Sequence, residues 1–233
     1  MMEQDWKSLG LDARLAWVAS QVRSDVCVID VGTDHARLPI ALVQSGKTQQ
    51  AIAADVAKQP LQQAQIHIAA ANLSAQISTI LSDGLAQIKL PEQADITICG
   101  MGGDTIVRMM QAQASLKQAG VRLILQPQTE IAALRQYLVQ QGFEVEAETI
   151  LAAEGRIYQA LVVQFTGRPY SLSLMEAELG SINLAQRSEV LLQYVRKRQA
   201  VVKKWQQAKF KAGQDAAWET EFILLYQQIL QSS

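Results

Sequence analysis

The sequence has few cysteines and no long apolar run. Its two cysteines, Cys27 and Cys99, both lie within short apolar segments. Two separated thiols do not form a disulfide framework or a cysteine-rich metal cluster, and they favour a reducing compartment. A membrane helix needs about 20 consecutive apolar residues, and the opening MMEQDWKSLG has neither the charged start nor the apolar core of a signal peptide. We therefore expect a cytoplasmic protein with no metal and no membrane association.

The chain also lacks a large net charge. The formal charge is -1 at pH 7, which gives no overall reason to expect nucleic-acid binding. The charge is unevenly distributed, however, because residues 187 to 211 contain eight basic side chains and one acidic side chain. This local excess indicates an anionic partner for that segment alone. With 233 residues and 49% hydrophobic content, the chain is long enough for one full domain and a smaller one.

Short apolar runs alternate with helical patterns through the first 142 residues. The predicted strands are residues 26–31, 50–55, 77–81, 95–99 and 121–126. The predicted helices are residues 36–46, 57–72, 103–118 and 129–142. Nearly continuous apolar strands separated by helices predict an α/β fold with a parallel sheet covered on both faces.

The pattern changes after residue 142. Residues 143–165 form two extended segments around Glu154 and Gly155, which predicts a hairpin and an antiparallel last strand. Such a strand is typical of the Rossmann-like class I methyltransferase sheet. Residues 174–211 and 214–231 then predict an antiparallel, coiled-coil-like pair of helices. We expect a cofactor-binding domain over residues 1–166 and a small helical domain over residues 167–233.

The segment DVGTDHARLP, residues 30–39, follows the first predicted strand. In a doubly wound sheet, ligands bind beyond the carboxyl ends of the strands, beside the first strand. Gly32 lets the backbone approach a ligand closely, but Asp34 stands where the pyrophosphate motif G-x-G-x-x-G has its second glycine. A carboxylate repels a dinucleotide phosphate and suits a cofactor with a cationic part, such as S-adenosylmethionine. We assign Asp30, Gly32 and Thr33 to that cofactor.

Further candidates stand at the ends of the next strands. Asp55, 23 residues after Gly32, can accept hydrogen bonds from ribose hydroxyls. Asp83 can contact an adenine amino group, and Gly84 allows the turn there. The fourth strand leads into ICGMGGD, and we assign Gly100, Met101, Gly102 and Gly103 to the cofactor site. So little side-chain bulk suggests that two ligands meet at this loop.

These motifs together resemble one family, the bacterial tRNA (adenine-22) nitrogen-1 methyltransferases of the TrmK type. The resemblance extends over essentially the whole chain, and the motifs that carry it are DVGTDHARLP, AAD at 53–55, LSDGL at 81–85, ITICGMGGD at 96–104 and LILQP at 123–127. It implies a Rossmann-like methyltransferase domain, a helical domain, S-adenosylmethionine as cofactor and tRNA as partner. One departure is Arg37, where the family leads us to expect an aromatic residue.

The resemblance also implies roles for individual side chains. Asp34 and His35 would orient the target adenine, and we expect no covalent nucleophile because the adenine ring nitrogen keeps an in-plane lone pair. His67, in the middle of a helix, is interpreted as structural. We expect a monomer that contacts tRNA through the following residues: Arg37, Arg196, Lys197, Arg198, Lys203, Lys204 and Trp205.

Other interpretations of these patterns stay open. A methyltransferase of this fold can act on another RNA or a small molecule, and a non-catalytic RNA-binding protein can retain a cofactor pocket. The basic helix can be a solvated or membrane-binding face. Asp34 and Asp104 are each positioned to cap the helix that follows them. A nicotinamide oxidoreductase is disfavoured because the phosphate-binding glycines are missing.

Overall fold

The computed structural model describes residues 4–231. It contains one sheet of seven strands: β1 (Cys27–Val31), β2 (Ala51–Asp55), β3 (Ile77–Leu81), β4 (Ala94–Gly102), β5 (Val121–Thr129), β6 (Phe143–Ala153) and β7 (Arg156–Phe165). The strand order is β3-β2-β1-β4-β5-β7-β6. Strands β1 to β5 pair in parallel, and β7 pairs antiparallel with both β5 and β6. The predicted α/β fold with an antiparallel last strand is confirmed.

Helices cover both faces of the sheet and extend beyond it. Their bounds are α1 (Ala13–Gln21), α2 (Arg37–Gln44), α3 (Lys58–Ala70), α4 (Gly103–Gln111), α5 (Ile131–Gln140), α6 (Leu174–Leu179), α7 (Ser181–Gln186), α8 (Glu189–Lys211) and α9 (Ala217–Gln231). Helices α1, α2 and α3 contribute to the hydrophobic core on one face of the sheet, and α4 and α5 to the core on the other. Among residues 4–231, no helix is long and apolar enough to cross a membrane.

The sheet brings the candidate residues to one edge. Asp30 lies one residue before the end of β1, opposite Ala53 of β2 and Thr97 of β4. Strand β4 pairs with β5 through register shifts around Met101. Since the neighbouring strands β1 and β4 are parallel, their carboxyl ends open on the same side, and the strand order reverses between them, which is the position where such sheets bind ligands.

The structure adds one helix to those predicted and corrects the bounds of two others. The sequence patterns missed α1, which begins after the N-cap residue Asp12. Helix α4 ends at Gln111, seven residues before the predicted end, because a 3-10 turn then directs Leu116 into the core. The predicted single helix 174–211 is three helices, because Gly180 has a φ of 91° and Arg187 takes a left-handed conformation.

The carboxyl-terminal helices have their own apolar core. It includes Leu191, Val195 and Phe222 from α8 and α9, together with Ile150 from β6. The predicted antiparallel pair corresponds to α8 and α9. The division at residue 166 stays a prediction, and its outer limits, residues 1–3 and 232–233, lie outside the described residues.

A buried polar network joins the sheet to these helices. Arg135 of α5 is 1% exposed and pairs with Glu148 of β6, at 3.0 Å between Nη2 and Oε2. The same guanidinium donates to the backbone oxygens of Ala177 and Glu178 and to the side chain of Gln159. Burial lowers the pKa of Arg135, and the nearby Glu148 carboxylate opposes that shift. The network fixes α6 against the sheet and α5.

Candidate active site

A cavity of about 290 Å³ opens at the carboxyl ends of β1 and β4. The first helix, the loop after β1 and the ends of β4 and β5 surround it. The residues that line it are Arg14, Leu15, Asp30, Gly32, Asp34, Arg37, Leu38, Cys99, Gly100 and Gln128. The sequence predicted a ligand at this edge of the sheet, and the structure brings five of the predicted residues, Asp30, Gly32, Asp34, Arg37 and Gly100, to one cavity there.

Asp30 provides a buried carboxylate in this cavity. Only 6% of the residue is exposed, and Thr97 donates a hydrogen bond to its Oδ1 at 2.7 Å. Burial raises the pKa of Asp30, while the hydroxyl of Thr97 and the positive charge of Arg14 act in the opposite direction. A carboxylate that has lost most of its solvation is stabilised by a cationic ligand. Thr33, also predicted for the cofactor, is fully buried beside it.

Two glycines shape the backbone around Asp30. Gly32 has a φ of 74°, and a Cβ atom there would overlap the end of the Met101 side chain. Gly100 also has a positive φ, of 79°, and a Cβ there would lie 3.6 Å from Nε2 of Gln128, an ordinary contact. Residue 32 is a glycine because its backbone is left-handed and because Met101 approaches it too closely for a side chain.

The loop after Gly32 takes an uncommon conformation. His35 and Ala36 both have positive φ angles, of 58° and 54°. Helix α2 has Ala36 as its N-cap residue with no side-chain cap, so the interpretation of Asp34 as an N-cap is wrong. The Asp34 side chain is 79% exposed, and its Oδ1 lies 3.2 Å from Nε2 of His35. Two successive non-glycine residues in this region mark a backbone that its surroundings constrain.

His35 and Arg37 have other contacts than the sequence suggested. The ring of His35 packs against His67, with 5.2 Å between ring centroids, and it is not part of the cavity lining. Arg37 lines the cavity and donates a hydrogen bond to the backbone oxygen of Gly10 at 2.6 Å. A role for His35 in orienting adenine stays a prediction.

The two acidic residues at the next strand ends lie apart from Asp30. Asp55 accepts a hydrogen bond from the Ala57 backbone at 2.8 Å, which leaves its second oxygen available. Asp83 lines a separate cavity of about 330 Å³ beside α4. Gly84 lies within this turn, packed against Met109. The structure thus places Asp83 outside the cavity of Asp30, and its contact with adenine stays a prediction.

The glycines of the fourth strand have different environments. A Cβ on Gly102 would lie 2.6 Å from Oδ1 of Asp104, and one on Gly103 would lie 2.6 Å from the backbone oxygen of Glu130. Close packing against the end of β5 therefore explains Gly103 without a ligand. Asp104 does not cap α4, and it lies 3.8 Å from Arg108 instead. A contact of Gly102 and Gly103 with the cofactor stays a prediction.

Arg14 is a site residue that the sequence patterns did not reveal. It lines the cavity from α1, and it donates a hydrogen bond to Oε1 of Gln126 at 2.9 Å. Its guanidinium carbon lies 5.7 Å from the ring centroid of Tyr158. A signal for this helix exists in the sequence, because Asp12 is a good N-cap and is followed by apolar residues at helical spacing: Leu15, Val18, Ala19 and Val22.

The two cysteines are free. Burial and the neighbouring Asp30 carboxylate raise the pKa of the Cys99 thiol. Burial also raises the pKa of Cys27. Both groups are therefore neutral thiols near pH 7, which makes them poor nucleophiles.

The predicted RNA-contacting side chains of α8 fall into two groups. Arg198 pairs with Glu178 at 2.9 Å, and Arg196 pairs with Glu189 at 3.3 Å. Lys197, Lys203 and Lys204 are exposed and form no ion pair with any residue in the range 4–231. Trp205 is 45% exposed. The free positive charge of this helix is thus smaller than its sequence suggests.

The cavity suits the amino-acid end of S-adenosylmethionine. That end of the cofactor carries an ammonium, a sulfonium and a carboxylate, and the cavity presents two carboxylates, Asp30 and Asp34, and the guanidinium of Arg14. Each charged group of the cofactor would therefore meet an opposite charge, although Arg14 is shared with the Asp12 carboxylate, 3.4 Å away. The chemistry of the lining fits this molecule better than a dinucleotide phosphate.

Comparison with known proteins agrees with this fit. A family model described as a methyltransferase domain matches residues 11–161. The tRNA (adenine(22)-N(1))-methyltransferase of Bacillus subtilis is 34% identical over 156 residues, which cover 67% of this chain and 66% of that protein, slightly under two thirds of its length.

Solved structures match over nearly the whole chain. Sp1610 of Streptococcus pneumoniae, a putative tRNA (m1A22) methyltransferase in complex with S-adenosyl-L-methionine, is 33% identical with a TM-score of 0.83, covering 94% of this chain and 98% of that one. TrmK of M. capricolum, in complex with S-adenosyl-homocysteine, is 25% identical with a TM-score of 0.81, covering 95% and 99%. The chain therefore belongs to the methyltransferase-domain family and, within it, to the TrmK family of tRNA methyltransferases.

Proposed function

We propose that this protein methylates nitrogen 1 of adenine-22 in tRNA, with S-adenosylmethionine as the methyl donor. The observation that carries the proposal is the buried Asp30 carboxylate, which shares one cavity with Arg14 and Asp34 at the switch point of a methyltransferase sheet. The similarity to the Bacillus subtilis enzyme supports the substrate and the position of methylation.

The cofactor is held at both ends of its amino-acid part. Asp30 and Asp34 would bind its cationic groups, and Arg14 would bind its carboxylate. Asp55 has a carboxylate oxygen free to accept hydrogen bonds from ribose hydroxyls. Asp83 lines the second cavity and Gly84 lies in the same turn, and these two residues would contact the adenine of the cofactor. Thr33, Gly100, Met101, Gly102 and Gly103 complete the proposed set around the strand ends.

The chemistry needs little from the protein beyond position. When bound, the cofactor supplies an electrophilic methyl group on its sulfonium. The adenine nitrogen already carries an in-plane lone pair at neutral pH, so the chain needs no general base and no nucleophile to activate it. Holding two reactants in line contributes a large part of such a rate enhancement. The neutral Cys99 thiol agrees with a direct transfer.

Asp34 has a second task at the mouth of the cavity. Its exposed carboxylate can accept a hydrogen bond from the 6-amino group of the target adenine and stabilise the positive charge that the methylated ring acquires. His35, predicted to orient the adenine, lies 3.2 Å from Asp34 and would act by positioning this carboxylate. The adenine must first leave the tRNA stack, at a cost of a few kcal/mol.

The helical domain at residues 167–231 would hold the tRNA backbone. Its exposed lysines, Lys197, Lys203 and Lys204, are free to contact phosphates. Arg196, Arg198, Arg37 and Trp205 are also proposed to contact tRNA, and the first two already pair with Glu189 and Glu178. Incubation with labelled S-adenosylmethionine and unmodified tRNA, followed by nucleoside analysis, tests the proposal. The label should appear in 1-methyladenosine.

A further inference from the structure

A cleft of about 660 Å³ separates the methyltransferase fold from helix α8. It lies between the end of β5, the start of β7 and one face of α8. Its lining includes polar and aromatic side chains from all three elements: Gln128, Arg156, Tyr158, Tyr194, Arg198 and Trp205. Its volume is in the range of pockets that bind small ligands.

The cleft adjoins the cofactor cavity. Gln128 lines both spaces. Arg14, in the lining of the cofactor cavity, lies 5.7 Å from the ring of Tyr158, in the lining of the cleft. The two side chains therefore form a shared wall. A nucleic acid strand that delivered a base to the cofactor cavity would therefore have the cleft directly beside it.

The cleft offers the contacts that an unpaired nucleotide needs. Tyr158 is half-buried and lines the cleft, with Arg14 over its ring at 5.7 Å, and aromatic side chains of this kind are the usual surface on which unpaired bases stack. Arg156 is exposed at the mouth and pairs with no carboxylate in the described part of the chain, so it is free for a phosphate. The side-chain amide of Gln128 can bond to a base edge. On α8, Arg198 and Trp205 follow Tyr194 by four and eleven residues, which puts all three on one face of the helix.

The walls of the cleft are held in place before any ligand arrives. Arg198 pairs with Glu178 at 2.9 Å and lies 5.9 Å from the ring centroid of Trp205. Glu178 also accepts a hydrogen bond from the Tyr226 hydroxyl at 3.1 Å. A site whose side chains are already ordered loses less conformational entropy when it binds.

We propose that this cleft binds the tRNA strand directly beside the methylated adenine, with one neighbouring base stacked on Tyr158. The inference rests on the proposed function and adds a second binding site on the substrate. It assigns α8 a share in local recognition of the RNA, in addition to the phosphate contacts of its lysines.

The first test compares variants in tRNA binding. Tyr158→Ala should weaken tRNA binding roughly tenfold, and Tyr158→Phe, which keeps the ring, should stay within about twofold of the wild type. Arg156→Ala should make the negative slope of log K against log salt shallower by about one, as expected for one lost phosphate contact. Arg168→Ala is the matched control, because Arg168 is also exposed and follows the opposite end of β7.

The second test combines each variant with altered tRNA. The base immediately before or after adenine-22 is replaced by an abasic site. The abasic tRNA should bind the wild-type protein less tightly than the intact tRNA does. Tyr158→Ala should bind the abasic and intact tRNAs with similar affinity, since both changes remove the same contact. The affinity for S-adenosylmethionine and the melting temperature of each variant, measured in parallel, show whether the fold and the cofactor site are intact.

The outcomes separate the two proposals. If the wild type leaves tRNA unmethylated and unbound, the proposed function and the cleft inference both fail. If the wild type methylates adenine-22 while Tyr158→Ala and Arg156→Ala bind tRNA like the wild type, only the cleft inference is overturned. Coupling between Tyr158 and adenine-22 itself, with none at its neighbours, also contradicts the inference, because the cleft would then hold the target base.

Discussion

Arg14 lies over the ring of Tyr158, with 5.7 Å between the guanidinium carbon and the ring centroid. Arg14 belongs to the first helix and Tyr158 to the last strand, and they meet because β7 pairs with β5 and the start of β7 reaches the carboxyl edge of the sheet. The pair forms a wall between the cofactor cavity and the cleft beside α8. One contact between distant parts of the chain thus sets the two proposed sites side by side.

Asp30→Asn should separate the cofactor role of this residue from its effect on stability. Because burial raises the pKa of Asp30, ionisation of this residue destabilises the folded protein when no cofactor is bound. The contribution of Asp30 to folding stability is therefore fully present below the ordinary aspartate pKa and is lost as the pH rises through the raised pKa. The variant should therefore melt above the wild type at pH 7 without cofactor, and this gap should close toward acidic pH.

Thermal melting with and without S-adenosylmethionine measures both effects. The cofactor should raise the melting temperature of the wild type and leave that of Asp30→Asn nearly unchanged. Asp215→Asn, at an exposed aspartate near α9, is the control. An equal shift for the wild type and Asp30→Asn would show that the cofactor binds elsewhere.

Arg14→Gln should weaken binding of S-adenosylmethionine by about 10- to 100-fold, as expected for loss of a charge-assisted hydrogen bond. The decisive comparison uses the decarboxylated cofactor. The wild type should bind it much less tightly than the intact cofactor, whereas Arg14→Gln should bind both with similar affinity. Calorimetry measures the four affinities. A variant that still prefers the intact molecule as strongly as the wild type would assign the carboxylate to another group.

The double variant Lys203→Gln with Lys204→Gln should bind tRNA less tightly and with a weaker salt dependence. Each lost phosphate contact makes the negative slope of log K against log salt shallower by about 0.7 to 0.9. Lys47→Gln with Lys89→Gln is the matched control, because these lysines precede β2 and β4 at the opposite edge of the sheet. Equal slopes for the two double variants would exclude these lysines of α8 from the RNA contact.

Arg135→Met should destabilise the protein by about 3 to 5 kcal/mol, because it leaves the buried Glu148 carboxylate without its cation. The loss should release α6 first, since Arg135 also holds the Ala177 and Glu178 backbone. Denaturant unfolding gives the stability, and proteolysis between residues 167 and 180 reports the release. Adding Glu148→Gln should restore part of the stability. A loss below about 1 kcal/mol for Arg135→Met would contradict this account of the network.

Local pattern was sufficient to predict the sheet and part of the site. Apolar runs and turn residues identified the strands, and the order of strands in an α/β fold put Asp30, Gly32, Asp34 and Gly100 at one edge. Pattern was insufficient where contacts are distant in sequence. Arg14 belongs to the site only because α1 packs across the sheet, and the contacts of Gly103 with the end of β5 are invisible along the chain.

Counting charges along the sequence overestimated the free positive charge of α8, for a similar reason. Residues 187–211 carry eight basic side chains, but folding pairs Arg196, Arg198 and Lys209 with acidic residues. The partners of Arg198 and Lys209 come from other helices, so only the fold could reveal them.

The break at Gly180 likewise depends on Glu148, whose carboxylate occupies the space that a side chain at residue 180 would need.

The central claim is best tested by mapping methylation on a defined tRNA transcript. The purified protein is incubated with S-adenosylmethionine and a transcript that carries adenine at position 22, beside one in which guanine replaces that adenine. We expect 1-methyladenosine at position 22 of the first transcript, no methylation of the second, and no product with Asp30→Asn on either. Methylation at another nucleotide, or equal methylation of both transcripts, would contradict the claim.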